Sequence, residues 1–442
     1  MAPELSCARG RVARIGPLAR RLATFGLIAA MLTTTLSLAG CGDSGDNSEG
    51  DPSDTDCRTL AADPGWYGDN RDRINEMVRN LGACGRSGSV TDGAPLALFD
   101  WDNTMVKHDI GNAMFFWMVR NSKVRQPANG DWSTTSQYLT APAAAALAAA
   151  CGGLGAPGQP LPTGTNAGCA DELTSVYIDH QTRTGTAAFA NYNHRRIAPS
   201  AAWGAQLLAG WTDADVSGFA QEARKQNLDA PDGDEQSVGT TRQIGWVRYY
   251  PQMRDLIGTL QADGFDVRII SASPEPVVRV WAADVGVTGD RVMGTRTDQD
   301  GDVLTTRLAL CGAEPSMPYN EGKRCRVNEQ VYGVKGAAAF DQLPEPRRQA
   351  FAAGDADGDA TFISDATALR LVINRNQIEL MCRAYADLDG RWLVNPMFIN
   401  PLATSPPYPC ATQGFDEPNG GQGPLPGPDG TAVPDQQDRV HA

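Results

Sequence analysis

Asp100-Trp101-Asp102-Asn103-Thr104 places two carboxylates one residue apart, directly after the apolar run Leu96-Ala97-Leu98-Phe99. From a single loop both can face one pocket. The first would attack an electrophilic phosphorus, and the second would protonate the leaving oxygen and then activate water. The same residues also read as an Asp/Asn turn with a helix cap, so the pair needs partners before it implies chemistry. Two further strings supply them. Ser271-Ala272-Ser273-Pro274 follows the run Asp266-Val267-Arg268-Ile269-Ile270, and a hydroxyl with backbone N–H groups ahead of a helix suits an anion. Gly354-Asp355-Ala356-Asp357-Gly358-Asp359 follows Gln349-Ala350-Phe351-Ala352-Ala353 and gathers three carboxylates, hard oxygen donors that suit Mg²⁺. Neither this string nor Asp298-Gln299-Asp300-Gly301-Asp302 is an EF-hand: each has Gly at loop position 4 and ends on Ala (Ala366, Ala309) where Glu is required.

The elements that must position these residues follow from the apolar runs. They read as buried parallel strands, with Leu369-Arg370-Leu371-Val372-Ile373 as a fourth. Helical stretches near 72–82, 252–263 and 276–285 separate them, and 291–309 reads as a β-hairpin turning at Asp300-Gly301. In such sheets chemistry collects at the carboxyl ends of strands, so polar residues ending three runs are candidates for one site.

Taken in order, these strings resemble the haloacid dehalogenase superfamily on its phosphatase side, over about 93–375 less a long insertion. The resemblance implies a doubly wound, mostly parallel, Rossmann-like α/β core with an inserted helical cap. It also implies that Asp100 is the nucleophile and Asp102 the acid and base. Thr104, Ser271, Ala272 and a lysine would hold the phosphoryl oxygens. Mg²⁺ would bridge Asp100, the main-chain carbonyl of Asp102 and Asp355, with Asp359 orienting its water. Dehalogenases of the superfamily lack the second Asp, because a halide needs no proton, so Asp102 argues for phosphoryl transfer. The lysine is Lys323, in Asn320-Glu321-Gly322-Lys323 ahead of a helix, or Lys335, which lies 20 residues before Asp355. Lys323 is preferred, because Glu-Gly-Lys before a helix is similar to bacterial phosphorylcholine and phosphoserine phosphatases.

About 160 residues separate the first two motifs, far too many for a loop. The implied organisation is a core in two parts, 57–118 and 246–405, around a helical cap over 119–245. Trp117, Trp203, Trp211, Trp246, Tyr249 and Tyr250 fall in or beside that cap, and aromatic walls bind quaternary ammonium. The same rings fill cores more often than cages. His108, just beyond Thr104, is a candidate substrate contact. The expected activity is Mg²⁺-dependent hydrolysis of a small phosphomonoester, with phosphorylcholine and phosphoserine as candidates. The alternatives are a phosphotransferase or mutase of the same superfamily and a non-catalytic, metal-binding surface lipoprotein.

The ends of the chain read differently. Arg9, Arg11, Arg14, Arg20 and Arg21 precede an uncharged stretch, Leu22–Gly40, that closes on Leu38-Ala39-Gly40-Cys41. This is a secretory pattern, and its last four residues resemble the lipobox of bacterial lipoproteins, with Cys41 as the lipidated residue. A membrane-spanning helix is the other reading of 19 such residues. Residues 1–40 hold five Arg and one Glu, so their removal takes the net charge from −14 to −18, which argues against nucleic acid. Residues 41–56 form an acidic tether, and 406–442, rich in Gly and Pro, reads as a disordered tail. Eight further cysteines suit disulfides in an exported chain; the four sequence-neighbour pairs would close loops of 15 to 29 residues. The expected location is the outer side of a bacterial cytoplasmic membrane, or the periplasm of a Gram-negative cell.

Overall fold

The computed structural model describes residues 57–62, 65–85 and 93–441. The segment 1–40, Cys41 and the tether lie outside the described residues. Among the described residues no helix is long and apolar enough to cross a membrane.

Six strands form one parallel sheet: β1 Leu96–Phe99, β2 Asp266–Pro274, β3 Val292–Thr295, β4 Phe351–Gly354, β5 Leu369–Asn374 and β6 Trp392–Pro396. Their spatial order is β6-β5-β4-β1-β2-β3. Ala97 pairs with Phe351 on one side and Val267 on the other, so β1 is central. Strands this apolar are stable only if both faces are covered. Ala97, Phe99, Phe351, Ala353, Leu371 and Ile373 enter one core cluster, and the intervening Leu96, Leu98, Ala352 and Val372 enter another. Helices Asn70–Leu81, Pro251–Ala262 and Glu275–Ala282 cover the first face. Helices Glu321–Gln330, Ala360–Ser364 and Ile378–Ala386 cover the second.

From β1 the chain builds outward through β2 and β3, then returns to the other side for β4, β5 and β6. The order therefore reverses between β1 and β4, and the crevice at their carboxyl ends is where such sheets bind ligands.

The insertion after β1 is mainly helical: Ala141–Cys151, Ala167–Thr174, Pro199–Gln206 and Asp213–Asp229, with a small hairpin of Glu235–Val238 and Thr241–Ile244. Three of these helices start on side-chain caps, which satisfy N–H groups that the helix itself leaves open; Pro199–Gln206 starts on Pro199 instead. Thr140 accepts from Ala143 N, Asn166 from Cys169 N, and Thr212 forms a capping box with Asp215. The disulfides are Cys57–Cys84, Cys151–Cys169, Cys311–Cys325 and Cys382–Cys410, the four neighbour pairs.

Two expectations need correction. The hairpin is confined to Thr297–Asp300 and Val303–Leu308, because Val292-Met293-Gly294-Thr295 is wholly buried and joins the main sheet as β3. The C-terminal segment is ordered rather than a loose tail. Cys410 anchors it to helix Ile378–Ala386, and Tyr408, Leu425 and Val433 are buried in the second core cluster. Each such burial contributes roughly 1.5–3 kcal/mol, enough with a disulfide to order a short wrap. Its Gly and Pro residues make turns, as in Gly427-Pro428-Asp429-Gly430, where Gly427 N–H donates to Thr431 O.

Candidate active site

Asp100 leaves β1 with its N–H donating to the Ala353 carbonyl of β4 at 2.9 Å, which points its side chain into the crevice. Lys323, on the first turn of helix Glu321–Gln330, donates from Nζ to Asp100 Oδ1 and Asp359 Oδ1, each at 2.5 Å. Thr104 Oγ1 donates to Asp355 Oδ1 at 2.7 Å and to Asp100 Oδ2 at 3.1 Å. Asp359 Oδ2 accepts the N–H groups of Asp355 and Ala356, at 2.9 and 3.0 Å, and so shapes the loop that carries both acids. A Cβ at Gly354 would stand 2.7 Å from Asp359, and one at Gly322 would stand 2.0 Å from the Met317 carbonyl. Both approaches require glycine. Lys335 is exposed, whereas Lys323 is buried against Asp100.

Asp102 occupies a different setting. Its Oδ1 accepts from Ile110 N–H at 2.7 Å, and its Oδ2 from Ser273 Oγ at 2.7 Å and Ser271 Oγ at 3.4 Å. Ser271 Oγ also accepts from Ser273 N–H at 3.1 Å. Ala272 is half-buried, and its carbonyl accepts from Thr295 Oγ1 at 2.6 Å. Asp357, the middle carboxylate of its string, turns away and caps helix Ile378–Ala386 through Leu380 N–H.

Burial sets the electrostatics. It pushes the Asp100 carboxyl up to about 6, against the pull of Lys323 and with a further push from Asp355. Asp102 is held well above the carboxylate range by burial, then by the charges of Asp109 and Asp100. Asp355 and Asp359 are raised chiefly by burial too. Burial opposes the Lys323 charge, but Asp100 and Asp359 reverse that and hold its ammonium above its ordinary value. Three carboxylate oxygens, from Asp100, Asp355 and Asp359, lie within 4.8 Å of one another. Buried hard donors whose ionisation is resisted fit a small divalent cation, which would restore their charge.

The site contains residues that the motifs did not single out. Arg375, immediately after β5, donates from Nη1 to Asp355 Oδ2 at 2.5 Å. A cation ending a fourth apolar run was the available signal. Asp109 caps helix Ile110–Arg120 through Asn112 N–H, and Ser273 supplies the shorter hydroxyl to Asp102. Two cavities open beside them. One, of about 260 Å³, is lined by Asp102, Asp109, Ser273, Tyr177 and His180. The other, of about 290 Å³, is lined by Asn103, His108, Asp109, Trp246 and Arg375. His108 is pushed down to about 4 by burial and by Lys107 and Arg375, so it stays neutral near pH 7.

The aromatic residues do not assemble into a wall. Trp203 is buried and donates to Thr135, Trp117 stacks on Phe219, and Trp211 carries the Arg125 guanidinium at 3.8 Å. Tyr249 donates to Asp284, and Tyr250 lies against Phe398. Trp246 alone of the six lines either cavity, meeting His108 edge-on at 4.3 Å.

Residues 168–364 match the family model described as haloacid dehalogenase-like hydrolase. Over that stretch the chain is similar to a haloacid dehalogenase-like hydrolase domain, and the six-stranded parallel sheet with helices on both faces is an α/β core of the kind such a domain has. The match starts inside the cap, beyond Asp100. No curated protein sequence matches the chain. Solved structures similar to it include a functionally unknown protein from Anaerococcus prevotii DSM 20548, at 17% identity and TM-score 0.48, covering 77% of this chain and 94% of that one. A protein of unknown function from Bordetella pertussis Tohama I has 17% identity and TM-score 0.40, covering 69% and 99%. A phosphoserine phosphatase in apo form has 12% identity and TM-score 0.30, covering 63% and 86%. Likenesses this distant add nothing to the site geometry.

Proposed function

We propose that this chain is a Mg²⁺-dependent hydrolase of a small phosphomonoester and works through a phosphoaspartate on Asp100. The observation that carries the reading is the division of labour between two carboxylates on one loop. Asp100 is gripped by Lys323 and Thr104 beside Asp355 and Asp359, while Asp102 faces a cavity and is disposed to carry a proton.

Asp100 attacks phosphorus in line, and Lys323 and Thr104 stabilise the charge that gathers on the phosphoryl oxygens. Ser271, bonded to Asp102, and the N–H of Ala272, which lines the cavity, would be further donors. Asp102 gives its proton to the departing alcohol. It then takes one from the water that cleaves the acyl phosphate, and is thereby reset. Asp100, Asp355 and Asp359, with the Asp102 carbonyl, would hold Mg²⁺, which supplies charge neutralisation when bound. A cavity of about 260 Å³ beside Asp102 suits a small leaving group. With one tryptophan rather than a cage, the site gives phosphorylcholine no special preference over other small esters.

Export with a lipid anchor on Cys41 belongs to the same proposal. It is supported by four disulfides, which persist in oxidising compartments.

The test is phosphate release from p-nitrophenyl phosphate by residues 57–442, with Mg²⁺ and with EDTA, beside Asp100→Asn. Metal-dependent release that vanishes in the variant supports the reading. Folded protein that releases no phosphate from this or from alkyl phosphates overturns it in favour of transfer or binding.

A further inference from the structure

We infer that Arg195, in the cap, is a positioning residue for Lys323 and that the C-terminal wrap holds it in place. The inference rests on the phosphatase reading, because it concerns the lysine that reading makes catalytic.

Helix Glu321–Gln330 brings Lys323 to Asp100, but its start is not self-supporting. Asn320 precedes it with φ 46° and ψ −112°, a conformation a non-glycine residue keeps only when its surroundings impose it. The Asn320 side chain does not cap that helix end. What imposes the conformation is a set of bonds from three directions. Asn320 donates from N to the Gly358 carbonyl at 2.6 Å and from Nδ2 to the Asp357 carbonyl at 3.0 Å, tying the helix to the loop that carries Asp359. Its Oδ1 accepts from Thr361 and, at 3.0 Å, from Arg195 Nη2. Arg195 Nε donates to Glu321 Oε1 at 3.2 Å, and Glu321 N donates to the Arg195 carbonyl at 2.9 Å. One cap residue therefore holds both residues at the helix start, two and three positions before the lysine.

Arg195 is itself fixed from the far side. It is 4% exposed and pairs through Nη1 with Glu379 Oε2 at 2.9 Å. The same nitrogen donates to the Asp416 carbonyl at 2.9 Å, and the Phe415 ring lies 4.1 Å from the guanidinium. His194 N–H donates to the Pro418 carbonyl at 3.0 Å. A buried charge is kept only where its donors are satisfied, and the planar fork serves Asn320, Glu321, Glu379 and the wrap at once. A lysine cannot. The two cavities beside Asp102 and Arg375 both hold cap residues, and this latch ties the cap loop to Lys323 independently of them.

The experiment is a kinetic cycle on the full mature chain with Mg²⁺ and p-nitrophenyl phosphate, using Arg195→Gln, Lys323→Gln and the double variant. Displacing a charged group by about 1 Å costs on the order of 10²-fold, so Arg195→Gln should lower kcat by roughly 30- to 100-fold with KM changed much less. In the Lys323→Gln background the same substitution should cost less than about 3-fold, since there is no lysine left to place. An undiminished loss in that background, or a loss confined to KM, overturns the proposal. Phe415→Ala keeps every ion pair and loosens only the wrap; it should lower kcat by about 3- to 10-fold, and an unchanged kcat removes the wrap from the proposal. A crystal structure of Arg195→Gln reads the placement without any assay: Lys323 Nζ should leave Asp100 while the sheet is unmoved, and a lysine still in place refutes the inference. Wild-type protein with no phosphatase activity, together with a displaced lysine, would instead refute the phosphatase reading and leave Arg195 as the residue that orients this helix.

Discussion

Asp102→Asn separates the two chemical duties assigned to that carboxylate. The substitution is nearly isosteric. An asparagine Oδ1 can still accept from Ile110 N–H, now 2.7 Å away, and its Nδ2 can donate to Ser273 Oγ, also at 2.7 Å. The loop should therefore keep its shape. Burial already resists the charge of Asp102, so the thermal midpoint should be unchanged or higher. What is lost is the proton. A positioned general acid is worth 10²- to 10⁴-fold, or about 2.7–5.4 kcal/mol of barrier. An alkyl phosphate, whose leaving oxygen needs that proton, should lose this full factor in kcat/KM. Nitrophenolate departs without help, so p-nitrophenyl phosphate should still phosphorylate Asp100 quickly, and only hydrolysis of the phosphoaspartate should slow. The assay is stopped-flow release of nitrophenolate. It should show a burst of about one equivalent per enzyme in Asp102→Asn, followed by a slow steady rate. Equal losses on both substrates, with no burst, would refute the assignment of Asp102 as acid and then base.

Arg375→Ala removes the strongest partner of Asp355. It should raise the Mg²⁺ concentration needed for half-maximal activity by about 10- to 100-fold while leaving the melting temperature nearly unchanged, which a metal titration checks. Replacing Cys382 and Cys410 together by Ala opens a loop with a sequence separation of 28 and should cost about 3.6 kcal/mol on loop entropy. The urea midpoint should fall, and limited proteolysis should cut first within 406–441. Asp438 answers to acid. Burial would raise its pKa, but hydrogen bonds from Ser405 N, His441, Tyr385 and Val440 N hold it near 2. A depressed carboxylate stabilises the fold above its unfolded value of about 4, and that stability is lost as pH falls toward 2. Denaturation midpoints of wild type and Asp438→Asn should accordingly be well separated above pH 5, with wild type the more stable, narrow as pH falls and converge only below about pH 2.

The parts of this molecule legible in its sequence are those whose signal is local. Each of the four apolar runs is a strand of the sheet, and the three that ended in a polar string carry that string at their carboxyl ends. Asp100, Asp102 and Ser271 came from this pattern, and the family resemblance singled out Asp355 and Asp359 among the three carboxylates of the third string. Arg195, Asp109 and Arg375 did not, because their meaning depends on groups 125, 7 and 20 residues away in the chain. A lone cation or a helix-capping Asp is too common to stand out. Lys323 and Lys335 were left close by spacing; packing decides between them, because only Gly322 allows the turn against the Met317 carbonyl that sets Lys323 beneath Asp100. Composition misled at the C-terminus, where Gly and Pro signalled disorder but serve the turns of a packed wrap. The tryptophans fit their commoner role, with N–H groups and faces spent inside the cap rather than forming a cage.

The charges of the site explain why these residues belong together. Asp100, Asp355 and Asp359 face Lys323 and Arg375, which leaves one uncompensated negative charge, and Asp102 and Asp109 beside them would add two more if both ionised in the same crevice. Burial raises all five acids, and Asp102, which has no cationic partner among its bonds, is raised further by the charges of Asp109 and Asp100. With Asp102 and Asp109 both protonated, one negative charge remains. A divalent cation would turn that into one positive charge, which is what a phosphate dianion needs to enter a low-dielectric pocket. The proton on Asp102 thus serves binding before it serves chemistry, because an ionised Asp102 would cancel the attraction. Activity should therefore fall as pH rises through the Asp102 titration, through a rise in KM as well as a loss of kcat, and an Asp102→Asn variant should keep its affinity for inorganic phosphate on the alkaline side where wild type loses it.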